Sequence, residues 1–279
     1  MTRTARPALH ALAAITLWGT LAWLSLKLAH VPPFLLVGTA LAIGSLASIG
    51  RLRDWRAGPR LLALGVYGLF GFHFLLFMAL RLAPPVEANL VNYLWPLFIV
   101  VLAPLVLRGY HLTARHVVAA LMGLAGAALL VTGGGKVAFA AAHAPGYALA
   151  LGSAFVWATY SLGTKRIGAF PTATVGLFAA VSAALALALH ALLEPAYAFT
   201  AGDLPWLVLM GAGPMGAAFF LWDAALKQGD PRMIGTLAYL TPLLSTLVLA
   251  ASGVGTITFA TLAAMALIVG GAALAARAS

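Results

Sequence analysis

The side chains best placed for chemistry in this sequence are rings and amides set inside long apolar runs: Trp18, Tyr67, His73, Asn89, Asn92, Tyr93, Trp95, Trp157, Tyr160 and Tyr239. Residues three and four apart share one face of a helix. On that spacing Ser153, Trp157, Tyr160, Ser161 and Thr164 form a stripe in an otherwise apolar run. Asn89, Asn92, Tyr93 and Pro96 share a second face with Trp95 at its edge. Tyr67, Phe70 and Phe74, flanked by His73, form a third, and Gly235, Tyr239, Pro242 and Thr246 a fourth. Rings meet rings edge-to-face or offset, so a hollow walled by Trp95, Trp157, Tyr93 and Tyr239 suits a flat apolar group. Asn89, Asn92 or His73 would then meet an ammonium or a carboxylate. This is the chemistry of recognition.

Other uses compete. Amides in lipid also tie helices together, which keeps both roles open for Asn89 and Asn92. His73, ionisable inside an apolar run, is a functional candidate or a packed core group. Rings often form interfacial belts, but Tyr93, Trp95 and Trp157 fall near the middle of their runs.

Catalytic signatures are missing. There is no HExxH, GxSxG or GxxxxGK[ST] pattern, and the six acidic residues are scattered. Zero cysteines exclude thiolate ligands and nucleophiles. No enzyme, metal site, cofactor or ATP-driven machinery is therefore expected. Glu87 and Asp223 lie near the ends of their runs, without an obvious partner for a proton relay. The sequence places no carboxylate at mid-membrane, where a cation carrier would want one, and no basic residue there for a sugar-nucleotide.

The elements that must hold these residues are apolar helices. Of 279 residues, 63% are hydrophobic and 8% charged, with a mean hydropathy of +1.03. About 20 apolar residues cross a bilayer core about 30 Å thick. The runs predict ten spans at 8–28, 33–50, 60–81, 85–106, 114–132, 146–165, 172–193, 204–226, 232–251 and 256–276. Breaks fall at Pro32-Pro33, Pro84-Pro85, Gly133-Gly134-Gly135, Glu194-Pro195 and Gly229-Asp230-Pro231. The run from Leu9 is too long for a cleaved leader and reads as the first span.

The net charge of +10 belongs to orientation and not to nucleic acid. With the amino terminus inside, thirteen cations fall inside: Arg3, Arg6, Arg51, Arg53, Arg56, Arg60, Arg108, Arg115, Lys165, Arg166, Lys227, Arg232 and Arg277. Lys27, Arg81 and Lys136 fall outside. The asymmetry predicts both termini in the cytoplasm, with the basic loops against anionic lipid.

The sequence also repeats. At a shift of 146, Gly65 meets Gly211, Ala79-Leu80-Arg81 meets Ala225-Leu226-Lys227, Pro85 meets Pro231, and Tyr93-Leu94-Trp95-Pro96-Leu97 meets Tyr239-Leu240-Thr241-Pro242-Leu243. Trp18-Gly19-Thr20 meets Trp157-Ala158-Thr159 at 139, and Gly126 to Leu129 meets Gly271 to Leu274 at 145. Residues 1–138 and 139–279 are thus two five-span copies. An odd number inverts the second copy, and the binding site of such carriers lies between the copies near the midplane. Pro96 and Pro242 occupy the same place in each copy and are candidate hinges. Gly123, Gly126, Gly270 and Gly271 permit close helix approach, either inside the bundle or in a homodimer.

The repeat resembles the drug/metabolite transporter superfamily, in its ten-span branch with two EamA-type halves, over essentially the whole chain. Asn92-Tyr93-Leu94-Trp95-Pro96, with Trp18 and Trp157, resembles its exporters of aromatic amino acids. The resemblance implies an inner-membrane exporter of aromatic and other neutral amino acids, working without ATP by alternating access. Export of another metabolite or a drug is the alternative, and a channel a more distant one.

Overall fold

The computed structural model describes residues 5–278; Arg3 lies outside them. It is helical throughout, with no strand among the described residues. Among the described residues nine helices are long and apolar enough to cross a membrane: α1 (Arg6–Lys27), α2 (Pro33–Asp54), α3 (Pro59–Leu82), α4 (Pro85–Val106), α5 (Ala114–Thr132), α7 (Thr172–Leu193), α8 (Leu204–Gln228), α9 (Pro231–Ala251) and α10 (Phe259–Ala276). Between them runs α6 (Ala144–Ile167), 24 residues long. Ser153, Tyr160, Ser161 and Thr164 make α6 less apolar than the rest, and all four are buried. A helix wrapped by other helices can carry polar groups that lipid would reject.

The starts and stops follow local chemistry. Pro33, Pro59, Pro85 and Pro231 each open a helix, where a missing N–H costs nothing. Thr113 and Thr258 close capping boxes. Gly133, at φ +60°, ends α5 in the left-handed region that other residues avoid. Two predicted bounds move by more than two residues. The α-helical part of α2 stops at Ser45 and tightens into a 3-10 stretch over Leu46–Asp54. Helix α10 starts at Phe259, because Thr258 caps it there.

Several helices are interrupted. Helix α1 breaks at Thr20, α4 between Asn92 and Trp95, and α9 between Leu237 and Leu240. Pro96 and Pro242 each stand in the first turn after the break. Helices α3 and α8 each contain one π turn, Tyr67–Gly71 and Gly213–Ala217. Their numbers differ by 146, the shift found in the sequence. A π turn inserts a residue, loosens the hydrogen-bond ladder and frees carbonyls.

Packing is densest for α5 with α10, α2 with α7, α3 with α6 and α1 with α8. Helix α2 meets α8 backbone to backbone. A Cβ on Gly44 would stand 2.5 Å from the Met215 carbonyl oxygen and 2.7 Å from the Gly216 Cα.

The bundle has two chemically distinct ends. At the arginine-rich end, Lys165 Nζ donates to the carbonyls of Leu226 and Gly229, both at 2.8 Å, and so caps the C-terminus of α8. Arg232 pairs with Asp230 and donates to the His111 carbonyl of the α4–α5 loop. At the opposite end Glu194 accepts from the backbone N–H of Phe34 and Leu35 and from Arg81. Lys27 lies over the rings of Trp23 and Trp206.

Asp203 ties a knot at this second end, accepting from the Thr200 backbone N–H, the Tyr197 hydroxyl and His30. Foremost the Thr200 N–H, and then His30 and Tyr197, hold its carboxyl well below the ordinary value of 3.8, against the pull of desolvation. A lowered carboxyl contributes its stability above the ordinary value and loses it as the pH falls beneath. The thermal-stability loss of Asp203→Asn in detergent should therefore hold from about pH 8 down to about pH 5 and shrink progressively as the pH falls below about 4, which a thermal-shift series checks.

Candidate functional site

Four of the seven tryptophans meet at the centre of the bundle, each from a different helix: Trp18 of α1, Trp95 of α4, Trp157 of α6 and Trp222 of α8. Trp18 lies 6.3 Å from Trp95, 5.8 Å from Trp157 and 5.1 Å from Trp222, centroid to centroid. Trp95 stands edge-on to Trp157 at 6.4 Å and to Trp222 at 5.7 Å. Phe219 joins Trp18 and Trp157, and Tyr160 and Phe72 extend the Trp157 side. Edge-to-face geometry places the positive edge of one ring on the negative face of the next, so the cluster is a set of preformed half-sandwiches.

Interrupted backbone orients it. Trp18 Nε1 donates to the Pro214 carbonyl of the α8 π turn at 3.1 Å. His73 Nδ1 lies 2.6 Å from the Leu69 carbonyl of the α3 π turn, and its ring packs on Phe72, Phe77 and Phe219. Each π turn thus gives a loosened carbonyl to a side chain of the central group. Trp222 Nε1 donates to Ser161 Oγ at 3.0 Å. The indole N–H groups of Trp95 and Trp157 bond no group among the described residues. They remain donors for a bound solute.

The sequence candidates divide between places. Trp18, Trp95, Trp157 and Tyr160 converge, with His73 joined through Phe72 and Phe219. Tyr67 is 38% exposed, has no ring contact with the cluster among the described residues, and bonds Thr159. Tyr239 is buried among Ala127, Leu243 and Ile268, its hydroxyl on the Tyr93 carbonyl. Tyr93, with Pro242, lines a small cavity of ≈ 130 Å³ between α4, α5 and α9. Asn89 is half-buried. Asn92 is buried and accepts from Ser153 Oγ at 2.8 Å, which ties α4 to α6. Replacing it by alanine should cost about 1 kcal/mol of stability, the usual worth of such a bond in lipid. Detergent melting and a flux assay check this, with flux expected to stay within about threefold because the rings are untouched.

Trp222 and Phe219 were not among the sequence candidates, since α8 has no polar stripe. Their signal was a Trp three residues after a Phe in the inner half of a span. Asp223, next to Trp222, lies near the end of α8, as its place in the sequence indicated, and has neighbours that the sequence did not show. It is 2% exposed and accepts from Lys227 Nζ at 2.6 Å and Thr172 Oγ1 at 2.7 Å, so it has partners. A carboxylate does stand near the rings, but Lys227 balances its charge. No group of three or more His, Cys, Asp or Glu able to hold a metal occurs among the described residues.

A cleft of ≈ 380 Å³ lies elsewhere, at the arginine-rich end, lined by Val106, Leu107, Arg108, Tyr110, Lys165 and Arg166. Its cations suit an anion. The ring cluster is uncharged and central, and ring faces of this kind match a flat neutral group.

The EamA-like transporter family profile matches residues 6–132 and 144–277. An aromatic amino acid exporter YddG of Ancylobacter novellus is 42% identical over 272 residues, covering 94% of each chain. An aromatic amino acid exporter YddG of Salmonella typhimurium is 29% identical over 171 residues, 57% of this chain and 56% of that one. A solved crystal structure superposes at a TM-score of 0.94 with 40% identity, over the full length of both chains. Two profile matches that together span nearly all of a multi-pass helical chain, built around a ring-lined centre, leave one assignment: the chain belongs to the EamA-like transporter family.

Proposed function

We propose that this protein exports aromatic and other neutral amino acids from cytoplasm to periplasm across a bacterial inner membrane, without ATP. The observation that carries the reading is the four-tryptophan centre. Its rings accept a planar side chain, and two free indole N–H groups can receive a carboxylate. The names of the two relatives agree with that chemistry. In this reading the chain makes ten spans, with residues 1–138 and 139–279 as inverted halves and both termini in the cytoplasm. Support comes from π turns 146 residues apart and from breaks at matched places in α4 and α9. Alternating access needs such paired bends around a fixed site. Trp18, Tyr160 and His73 complete the binding group, while Tyr67, Asn89, Asn92, Tyr93 and Tyr239 act as supports at its margin. Pro96 and Pro242 serve as hinges. Transport runs down the gradient of the solute itself.

Counterflow in proteoliposomes tests the substrate. Phenylalanine, tyrosine and tryptophan should exchange, and organic cations and nucleotide-sugars should not; exchange confined to the latter two would overturn the reading. Topology is separable. The chain has no cysteine, so Arg56→Cys and Arg166→Cys should label from one face of oriented vesicles and Lys136→Cys from the other.

A further inference from the structure

Arg81 and Lys227 are counterparts at the shift of 146, each in the last turn of the arm that follows a π turn. They sit at opposite ends of the bundle and make the same kind of contact. Arg81 lies 5.5 Å from the centre of the Phe34 ring at the start of α2, and pairs at 3.2 Å with Glu194, which also accepts from the Phe34 and Leu35 N–H groups. Lys227 lies 3.4 Å from the centre of the Phe170 ring just before α7, donates to the Phe170 carbonyl, and pairs at 2.6 Å with Asp223, which also accepts from Thr172. In both, a cation near the end of the arm is laid on a phenyl ring at the mouth of the neighbouring helix. A carboxylate bonded to the start of that helix completes the contact.

We infer that Arg81 and Lys227 are paired latches, positioning residues that hold the α3 and α8 arms and so set which end of the transporter is open. The inference rests on the alternating-access reading above. The two latches are not equally tight. Both carboxylates are buried, Glu194 at 1% exposed and Asp223 at 2%, but the Arg81 side chain is 40% exposed and that of Lys227 13%. Packing agrees. At the arginine-rich end Pro231–Leu237 of α9 packs closely on Trp95–Val106 of α4, and Ala218–Gln228 of α8 packs on both α1 and α6. At the other end Phe72–Leu82 packs as closely on α6 as Ala218–Gln228 does on α1, but its contact with α1 and that of Pro85–Asn92 with Leu240–Ala251 are sparse among the described residues. The arginine-rich end is the latched one.

The inner latch also carries the means of its release. Asp223 Oδ1 is buried without a partner among the described residues. A half-satisfied carboxylate is held by Lys227 and gains water when the arm swings out. Removing Lys227 strands the charge in the closed state and leaves the open state little changed.

Two reporters on the cysteine-free chain test this: Thr164→Cys, buried on α6 towards the arginine-rich end, and Ser245→Cys, on α9 towards the other. Labelling by an impermeant maleimide is followed in reconstituted protein with both faces exposed. Lys227→Met should raise Thr164→Cys labelling on the order of tenfold and lower that of Ser245→Cys, since an uncompensated buried charge moves a two-state equilibrium at least that far. Arg81→Met should raise Ser245→Cys labelling and leave Thr164→Cys at or below the parental rate. Lys227→Arg should restore the parental pattern. An unchanged Thr164→Cys rate in Lys227→Met, or a rise of both reporters together, would overturn the latch. If Thr164→Cys labels in no variant while Ser245→Cys does, the arginine-rich end never opens, and alternating access fails along with the latch.

Discussion

Trp157→Ala should reduce phenylalanine counterflow by roughly ten- to a hundredfold, the equivalent of about 1.5 to 3 kcal/mol for the loss of a stacking ring and its pairings. Trp157 touches Trp18, Trp95, Phe72, Tyr160 and Phe219, more rings than any other position considered for this site. Its indole N–H is also one of the two in the cluster that bond nothing among the described residues. The deletion therefore removes wall and donor together. Trp222→Ala offers the informative contrast. That ring reaches Trp18 and Trp95, but its N–H is spent on Ser161, so a smaller loss in binding and a larger loss in stability are expected. Equilibrium binding of phenylalanine to purified protein, with a melting curve for each variant, separates the two. Parental binding in Trp157→Ala would remove the tryptophan centre from the site.

The second large effect concerns backbone. Gly44→Ala should destabilise the protein by about 2 kcal/mol or more, in the range that overpacking costs, and lower folded yield in a thermal-shift assay. The added methyl would meet the Met215 carbonyl and the Gly216 Cα, neither of which can rotate away as a side chain would. The clash falls on the α8 π turn, whose Pro214 carbonyl holds Trp18. Transport by whatever protein still folds should drop as well, because α8 must shift to admit the methyl. Gly71→Ala is the control. It lies in the α3 π turn, where an added Cβ finds no atom closer than 3.7 Å, and it should fold and transport near parental levels.

Most of the architecture was legible before any coordinates. Apolar runs with proline at their starts marked the helices, because lipid demands internal hydrogen bonds and proline is tolerated only in a first turn. The two π turns, which the sequence did not announce, fall 146 residues apart, in the register of the sequence repeat. Ring type, midspan position and scarce charge are what the proposal of a neutral, planar solute draws from the sequence.

Which rings meet was beyond that reach. Spacing assigns a side chain to a face of its own helix and leaves the rotation of that helix in the bundle unspecified. The π turns made this worse, because an inserted residue rotates everything after it by about 100° relative to an unbroken helix. Tyr67, Phe70 and Phe74 form one stripe on paper, yet Tyr67 bonds Thr159 while Phe74 stacks towards Phe34. In α8 the same insertion carries Phe219 and Trp222 into the centre, and Asp223 turns to Lys227 and Thr172 one position later. Tyr93 and Tyr239 went the other way, into the α4–α9 contact, because each lies at a break where the helix changes direction. The amino-acid order set the helices, their repeat and the chemistry of the rings; the tertiary structure chose the four tryptophans that touch, because only packing fixes how an interrupted helix is turned.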